Sequence, residues 1–380
     1  MTSINMSIYH DAGFSSTQMR SLEALLERNP SIHWITLNPE SGIYEMVLDN
    51  SLMSCFRTCQ SLFMQTWVEG YTPIGGRSWI LDFGTLFHKM IEIYYKEFRS
   101  PGFDMVQWAT QRGAAEWDEA IMDYFRDKHK EFITIGGKPG FCALLAQYSS
   151  RFSAENERLR VIGTEIAFGR NKEVPLGAVK VSIGPAILNE YLQCFLAGRI
   201  DVLVDDRTSI GPLDHKTKGT LRNDPQKFYE IDEGPTGYVY AVSSILPKLI
   251  ASLGLEAELV QRSCNKILMN YISKSPTADP MDRFKRLPIM KTQDQLESYR
   301  LRMLNTAEDI FHALVRYAST GGATRSTNSC TGLYGSDCPF LAVHRQSSRE
   351  NEEQVLKQFY VKRSIWNTES PNEERKNTST

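Results

Sequence analysis

The sequence predicts an α/β protein: a central mixed β-sheet flanked by helices, with helical additions. Three observations carry that expectation. Apolar residues recur at helical spacing through most of the stretch from Ser54 to about residue 160. Between 161 and 218 the pattern changes to alternation, β-branched residues and turn signals. Helix, strand and helix then follow one another to about residue 318. This order points to one sheet with helices on its faces and not to two independent halves.

Residues 1–47 are mixed and weakly periodic, as in a small cap or an extension. From Ser54 to Gly70, Phe56, Leu62, Phe63 and Trp67 recur at helical spacing. A stronger helix runs from Trp79 to Phe98, with Leu86, Met90, Ile93 and Tyr94 on one stripe. Further helices are expected near 104–131 and 141–160. VIGTEIAFG (161–169), QCFLAGRIDVLVDD (193–206) and TSIGPLDHKTK (208–218) read as strands, and YVYAVSSILPKLIASL (238–253) as a helix. ELVQRSCNKILMNYIS (258–273) reads as strand, and 292–318 as a long helix capped by Thr292. The last 35 residues are polar and charged, so a mobile tail is expected after Trp366.

With 380 residues, 41% hydrophobic and 23% charged, the chain is neither disordered, collagen-like nor a coiled coil. Its net charge of −2 gives no bulk attraction for nucleic acid, so any such contact needs basic residues gathered on one face. No window reaches the roughly 18 uninterrupted apolar residues of a membrane helix, and MTSINMSIYHDAGFSS lacks the halves of a signal peptide. A cytoplasmic location is therefore expected. Seven cysteines, an odd number, then read as thiols or metal ligands and not as a disulfide framework.

The most informative stretch is GRIDVLVDDRTSIGPLDHK, taken as a hairpin turning at Asp206-Arg207-Thr208-Ser209. In that register Asp201 faces Asp214, Arg199 faces Lys216 and Leu203 faces Pro212. Two carboxylates across a strand pair repel each other, and flanking Ile200, Val202 and Leu213 place the hairpin inside, where unpaired charge is costly. A divalent cation with hard oxygen ligands resolves the conflict. The alternative is a solvated face on which Lys216 makes a surface ion pair; Gly211 and Pro212 weaken the strand. His88, one helical turn after Gly84, is a third ligand candidate or a core histidine. Glu165, inside the apolar GTEIAF, is a carboxylate out of place or a strand-edge residue.

Together FGTLFH, the glutamate of TEIAFG, GRIDVLV and LDHKTKG resemble, in order and spacing, the motifs of the RecB-like branch of PD-(D/E)XK nucleases. That branch includes the exonuclease domains of RecB and AddB and the CRISPR-adaptation exonucleases. The resemblance covers roughly residues 50–345, with phage-encoded members closest in layout. It implies a restriction-endonuclease-like core over 51–345, an N-terminal extension over 1–50 and a polar tail over 346–380. It also implies a DNA exonuclease using Mg²⁺ or Mn²⁺ in recombination, repair or phage DNA metabolism. Asp201 and Asp214 would bind metal, His88 would add an imidazole, Glu165 would support the site and Lys216 would balance charge on phosphate.

The family's Q-x-x-x-Y motif would put its tyrosine at Tyr238, but its glutamine falls on Gly234, and Gln226 lies too far upstream to replace it. That departure keeps open a catalytically weak or non-catalytic DNA-binding or scaffold subunit. A metal hydrolase of another substrate is the third reading. Relatives with an iron–sulfur cluster imply ligands at Cys59, Cys330, Cys338 and His344, with Cys55 as a replacement, holding [4Fe–4S] or, alternatively, Zn²⁺. The null alternative is ordinary buried thiols and a turn at Cys338-Pro339. Cys142, Cys194 and Cys264 read as core. Backbone phosphate contacts are expected at Lys218 and Arg222, and no sequence-specific base reader is seen.

Overall fold

The computed structural model describes residues 14–29, 32–74, 79–99, 103, 136–183, 188–218, 225–275, 278, 282–330 and 337–362. The expected helix near 104–131, Arg222 and the segment after Trp366 lie outside the described residues. The chain begins with α1 (Ser16–Arg28), β1 (Ile35–Leu37), β2 (Tyr44–Leu48), α2 (Asn50–Thr58), α3 (Gln60–Phe63) and a π-turn at Met64–Val68. It continues through β3 (Tyr71–Pro73), α4 (Trp79–Glu97), α5 (Gly137–Asn156), β4 (Arg160–Phe168), β5 (Pro175–Ile183), β6 (Leu188–Leu196), β7 (Gly198–Asp205) and β8 (Ile210–Lys218). Then come α6 (Pro225–Ile231), α7 (Glu233–Ser252), β9 (Lys266–Ser273), β10 (Phe284–Met290) and α8 (Gln293–Thr320). The described chain closes with α9 (Thr327–Cys330), α10 (Leu341–His344), α11 (Arg349–Phe359) and β11 (Tyr360–Lys362).

Mixed sheets flanked by helices are present, as expected, but in two units where one was expected. The first unit comprises Met1–Gly76, Gly169–Ala197 and Arg300–Thr380; the second comprises Arg77–Phe168 and Gly198–Tyr299.

In the first unit, β2 from the supposed extension pairs in parallel with β6 from Tyr44↔Leu192 to Leu48↔Leu196, and β5 pairs antiparallel with β6. The sheet order is β1-β2-β6-β5. This parallel pairing joins segments some 150 residues apart, and a non-local pair leaves no local signature. The strand expected over 193–206 is therefore two strands broken at Ala197, whose N–H donates to Leu48 O at 2.7 Å. Ahead of Trp366, β11 pairs with β3, and Tyr360 stacks on Phe340 with ring centroids 4.9 Å apart.

The second unit holds a five-stranded sheet of order β10-β9-β8-β7-β4, with β8 and β9 parallel and the remaining neighbours antiparallel. Period-two alternation gives each face its own core. Val202, Val204, Leu213 and Ile272 pack with Phe83, Phe87 and Tyr94 of α4 and Leu144, Tyr148 and Phe152 of α5. Ile267, Met269 and Tyr271 pack with Tyr229 of α6 and Val239 of α7. β9 starts at Lys266, later than expected, because Ala257–Gln261 forms a 3₁₀ turn. Gly198 is required by a close approach: a Cβ there would lie 2.8 Å from the Phe168 ring. Among the described residues no helix is long and apolar enough to cross a membrane.

The β7–β8 turn forms at the expected residues. Asp206 N–H donates to Ser209 O at 3.1 Å, and Asp206 Oδ1 accepts from the amides and hydroxyls of Thr208 and Ser209. Burial alone would raise the Asp206 carboxyl, but the Lys266 ammonium and these donors outweigh it and hold it well below its ordinary 3.8. A depressed carboxyl contributes stability that is present above 3.8 and lost as pH falls through its folded value. Asp206→Ala is therefore expected to flatten the acid limb of the stability–pH curve, measured by urea melts between about pH 5 and pH 2; parallel limbs in the two proteins would contradict this.

Candidate active site

The register of the β7–β8 hairpin decides the site. Val202 pairs with Leu213, Leu203 with Pro212, Val204 with Gly211 and Asp205 with Ile210, and beyond Val202–Leu213 the two strands part. The expected pairs Asp201–Asp214 and Arg199–Lys216 therefore do not form as ladder pairs. The His215 amide, released from the ladder, donates to Asp201 Oδ2 at 3.0 Å. Asp201 thus occupies the fork between two separating strands, where both faces of the sheet can reach it.

From one face α4 delivers His88, whose Nδ1 lies 3.1 Å from Asp201 Oδ2. Gly84, one turn earlier, faces β8; a Cβ there would lie 3.8 Å from Thr217 Oγ1, an ordinary contact, so packing does not require a glycine. Burial disfavours the His88 imidazolium, but the Asp201 carboxylate outweighs it and raises His88. The Asp201 carboxyl is correspondingly held well below its ordinary range: burial opposes ionisation, and His88 and His215 overcome it.

Asp214, buried, points to the other face with Lys216, two residues along the strand. Lys216 Nζ lies 2.8 Å from Asp214 Oδ2 and donates to Oδ1 at 3.0 Å. Burial and the nearby Asp201 charge nevertheless raise the Asp214 carboxyl, and Oδ2 has no donor at hydrogen-bonding geometry. The Lys216 ammonium is held up by Asp214, Asp201 and the Tyr238 phenol against burial. Tyr238 therefore lies on α7 near the lysine, whereas Gln226 is exposed and bonds Glu230. Gly234 caps onto Asp232 in the first turn of α7.

Glu165 stands on β4 between Thr164, which pairs with Val202, and Ile166, which pairs with Ile200. It lies level with Asp201. Its φ of 51° is left-handed, a conformation costly for a residue with a Cβ. Burial and the Asp201 charge raise its carboxyl, while Arg199 Nη1, 3.1 Å from Oε2, opposes them.

The site has a buried floor that motif reading missed. His215, Asn270 and Arg286 occupy adjacent strands in direct register, His215↔Asn270 and Asn270↔Arg286. His215 Nε2 meets Tyr148 Oη at 2.8 Å and Asn270 Nδ2 at 3.0 Å. Asn270 Oδ1 accepts from Arg286 Nε at 2.8 Å, and Arg286 lies over the Phe152 ring. Arg286, despite its charge, has only 7% of its side chain exposed. The available signal was alternation: His215 and Asn270 fall at apolar-face positions of their strands. Burial pushes the His215 imidazole down to about 4.

Cys55, Cys59, Cys330 and Cys338 lie in the first unit. Cys59, at the α2–α3 junction, accepts from the Ser326 amide through Sγ at 3.4 Å, and Cys338 N–H donates to Cys330 O at 3.1 Å. His344 Nδ1 is 3.8 Å from Cys330 Sγ, and its Nε2 is 3.0 Å from Ser61 Oγ. Cys55 joins them: burial raises its thiol to about 12, and Cys59 and Cys338 add to the rise. Cys142 and Cys194 are buried as expected, while Cys264 is half-buried. Lys218 is exposed at the end of β8. Tyr94 and Tyr95 are buried core residues. Among the described residues no three His, Cys, Asp or Glu side chains converge closely enough to hold a metal ion.

A family model described as the PD-(D/E)XK nuclease superfamily matches residues 51–343. The chain belongs to the PD-(D/E)XK nuclease superfamily. Its mixed sheet flanked by helices is the α/β architecture of these restriction-endonuclease-like enzymes, which are in general metal-dependent nucleases using Mg²⁺ or Mn²⁺. No curated protein matches the chain. A solved structure described as "Crystal structure of SSO0001" is 13% identical over 68% of this chain and 95% of its own, with a TM-score of 0.26, too low to carry a structural argument.

By donor type Asp201 and Asp214 offer the hard oxygens that the superfamily's Mg²⁺ or Mn²⁺ favours and His88 adds a borderline nitrogen, although the three do not converge on one point. Asp214 Oδ2 lies 2.8 Å from Lys216 Nζ without hydrogen-bond geometry. Glu165→Gly is expected to raise the free energy of unfolding by about 1 kcal/mol, because it relieves the left-handed strain and removes a carboxyl that burial disfavours. Urea denaturation checks this; a loss of stability would mean that the Arg199 pair outweighs the strain.

Proposed function

We propose that this PD-(D/E)XK protein is a divalent-cation-dependent DNA nuclease, acting as an exonuclease in recombination, repair or phage DNA metabolism. The observation that carries the reading is the fork at Asp201, around which His88, Glu165, Asp214 and Lys216 are arranged. Asp201, Asp214 and His88 would hold Mg²⁺ or Mn²⁺, with Glu165 beside them. When bound, the ion would supply Lewis-acid polarisation of a phosphodiester and neutralise charge on it.

The chain's own groups do the remaining work. Lys216, held protonated, balances charge on the scissile phosphate and orients the attacking water. The His215 amide and the His88 imidazole fix the rotation of the Asp201 carboxylate. Lys218 follows Lys216 on the same strand and presents a cation to the nucleic-acid backbone, and Tyr238 braces the lysine from α7. The exonuclease mode rests on the motif order of the RecB-like branch and on the cysteines. Gly234, where that branch carries glutamine, favours a second reading: a binding or scaffold subunit with weak cleavage.

Lys216→Ala and Asp214→Ala are each expected to lower Mg²⁺- or Mn²⁺-dependent cleavage of linear DNA by roughly 10²–10³-fold, with melting curves close to the parent; chelation of the metal abolishes it. Undiminished cleavage in either variant refutes the site assignment, and parent protein that binds DNA without cutting selects the scaffold reading. Cutting of linear but not closed circular DNA supports exonuclease mode.

The cysteine group supports a cluster reading. Cys55, Cys59, Cys330 and Cys338, with His344 beside Cys330, have the donor chemistry of [4Fe–4S] or Zn²⁺, although no three of them converge closely enough here to hold a metal. Raised thiols crowded together need a cation to ionise. Anaerobically purified protein is expected to be brown, with broad visible absorption that Cys330→Ser removes. Colourless protein containing zinc selects the alternative metal, and protein free of both removes the cluster.

A further inference from the structure

The polar row behind the site runs across four strands: Asp201 on β7, His215 on β8, Asn270 on β9 and Arg286 on β10. Hydrogen-bond chemistry gives it a direction. A guanidinium donates and never accepts, so Arg286 Nε, 2.8 Å from Asn270, turns the amide oxygen toward itself. The Asn270 amide nitrogen, two donors and no acceptor, must then face the other way, toward Tyr148 Oη at 2.7 Å and His215 Nε2 at 3.0 Å. Nε2 faces the Asn270 amide, a donor only, and the Tyr148 hydroxyl, which can donate or accept. With the amide donating to it, Nε2 accepts and the ring's hydrogen sits on Nδ1, which has no other hydrogen-bond partner among the described residues. Nδ1 stands 3.5 Å from Asp201 Oδ2, the oxygen that already takes the His215 amide at 3.0 Å.

We propose that His215 is a positioning residue for Asp201, held as the Nδ1–H tautomer by the donor row Arg286–Asn270, so that Asp201 keeps Oδ2 turned into the protein. The row is buried: His215, Asn270 and Tyr148 are at 0% exposure. Water therefore cannot replace a missing partner, and the polarity set at β10 is transmitted to β7 without a competing donor. Nothing in the motif assigns His215 or Arg286 a task; the spacing D-x-K treats the intervening residue as filler. Tyr95 supplies an internal control. Its hydroxyl meets Arg286 Nη2 at 3.2 Å and Tyr148 Oη at 2.8 Å but bonds neither Asn270 nor His215, and its ring, 5.8 Å from the His215 ring between centroids, is kept in phenylalanine.

The inference rests on the nuclease reading only for the purpose of holding Asp201; the tautomer itself does not. The test uses full-length, chelator-treated protein labelled with ¹⁵N-histidine, the His215 ring signals being assigned by their absence in His215→Gln. The parent is expected to show Nδ1 protonated and Nε2 as acceptor; an Nε2–H ring or an imidazolium at neutral pH overturns the proposal, with no variant needed. Arg286→Met, which frees the Asn270 amide to rotate, is expected to mix the tautomers and weaken Mn²⁺ binding, read by the electron paramagnetic resonance of free Mn²⁺, about tenfold. Arg286→Lys, also donor-only, restores both. Tyr95→Phe lowers the melting temperature but leaves tautomer and Mn²⁺ affinity as in the parent.

Arg286→Met with parental Mn²⁺ affinity, or Tyr95→Phe with the same loss as Arg286→Met, reduces the row to ordinary core and overturns the positioning role. Parent protein that neither binds Mn²⁺ nor cuts DNA overturns the nuclease reading instead, and the ring spectrum then decides the tautomer by itself.

Discussion

Asp201 is a half-buried and Asp214 a buried carboxylate, close enough that the charge of the first raises the second, and the second unit is arranged around containing that repulsion. The strands that carry them stop pairing after Val202–Leu213. Had the ladder continued, the two side chains would stand opposed within a closed sheet, with no room for a counter-charge. Separation exposes an unpaired amide at His215, and Asp201 satisfies it. The break in secondary structure that costs a ladder bond is thus what creates a place where charge can be held and a cation approached.

Containment is unequal at the two carboxylates. The Asp201 carboxyl, facing two imidazoles and an amide, is held well below its ordinary range, whereas burial and the Asp201 charge raise that of Asp214. Such a pushed-apart pair, in a fork lined by a strained glutamate, is the signature of groups placed for chemistry more than for stability. The polar row beneath it has the opposite character, its residues bonded to one another and almost wholly withdrawn from solvent.

The first unit solves a different problem. Its two cysteine-bearing segments lie some 270 residues apart and are zipped by ordinary polar contacts: Ser329 Oγ to Thr58 O, the Ser61 amide to Thr324 O, and the Ser326 amide to Cys59 Sγ. Long-range closure of this kind is entropically costly. The thiols therefore sit at the place where a shared metal would contribute most to holding the ends.

Local spacing determined a good part of this protein. The hairpin register at Val202–Leu213 and Leu203–Pro212, the turn at Asp206–Ser209, the α4 stripe and the capped α8 all follow from contacts between near neighbours, where periodicity and turn chemistry act directly. The motif residues were legible for the same reason: each is a chemically odd side chain in an otherwise regular stretch. What tertiary structure alone decided are the relations between distant segments. The pairing of β2 with β6, the arrival of Cys55 among the other thiols, the withdrawal of Arg286 from solvent and the parting of β7 from β8 depend on which surfaces meet. A residue's own neighbours in sequence carry no record of that, because packing and burial are properties of the assembled chain.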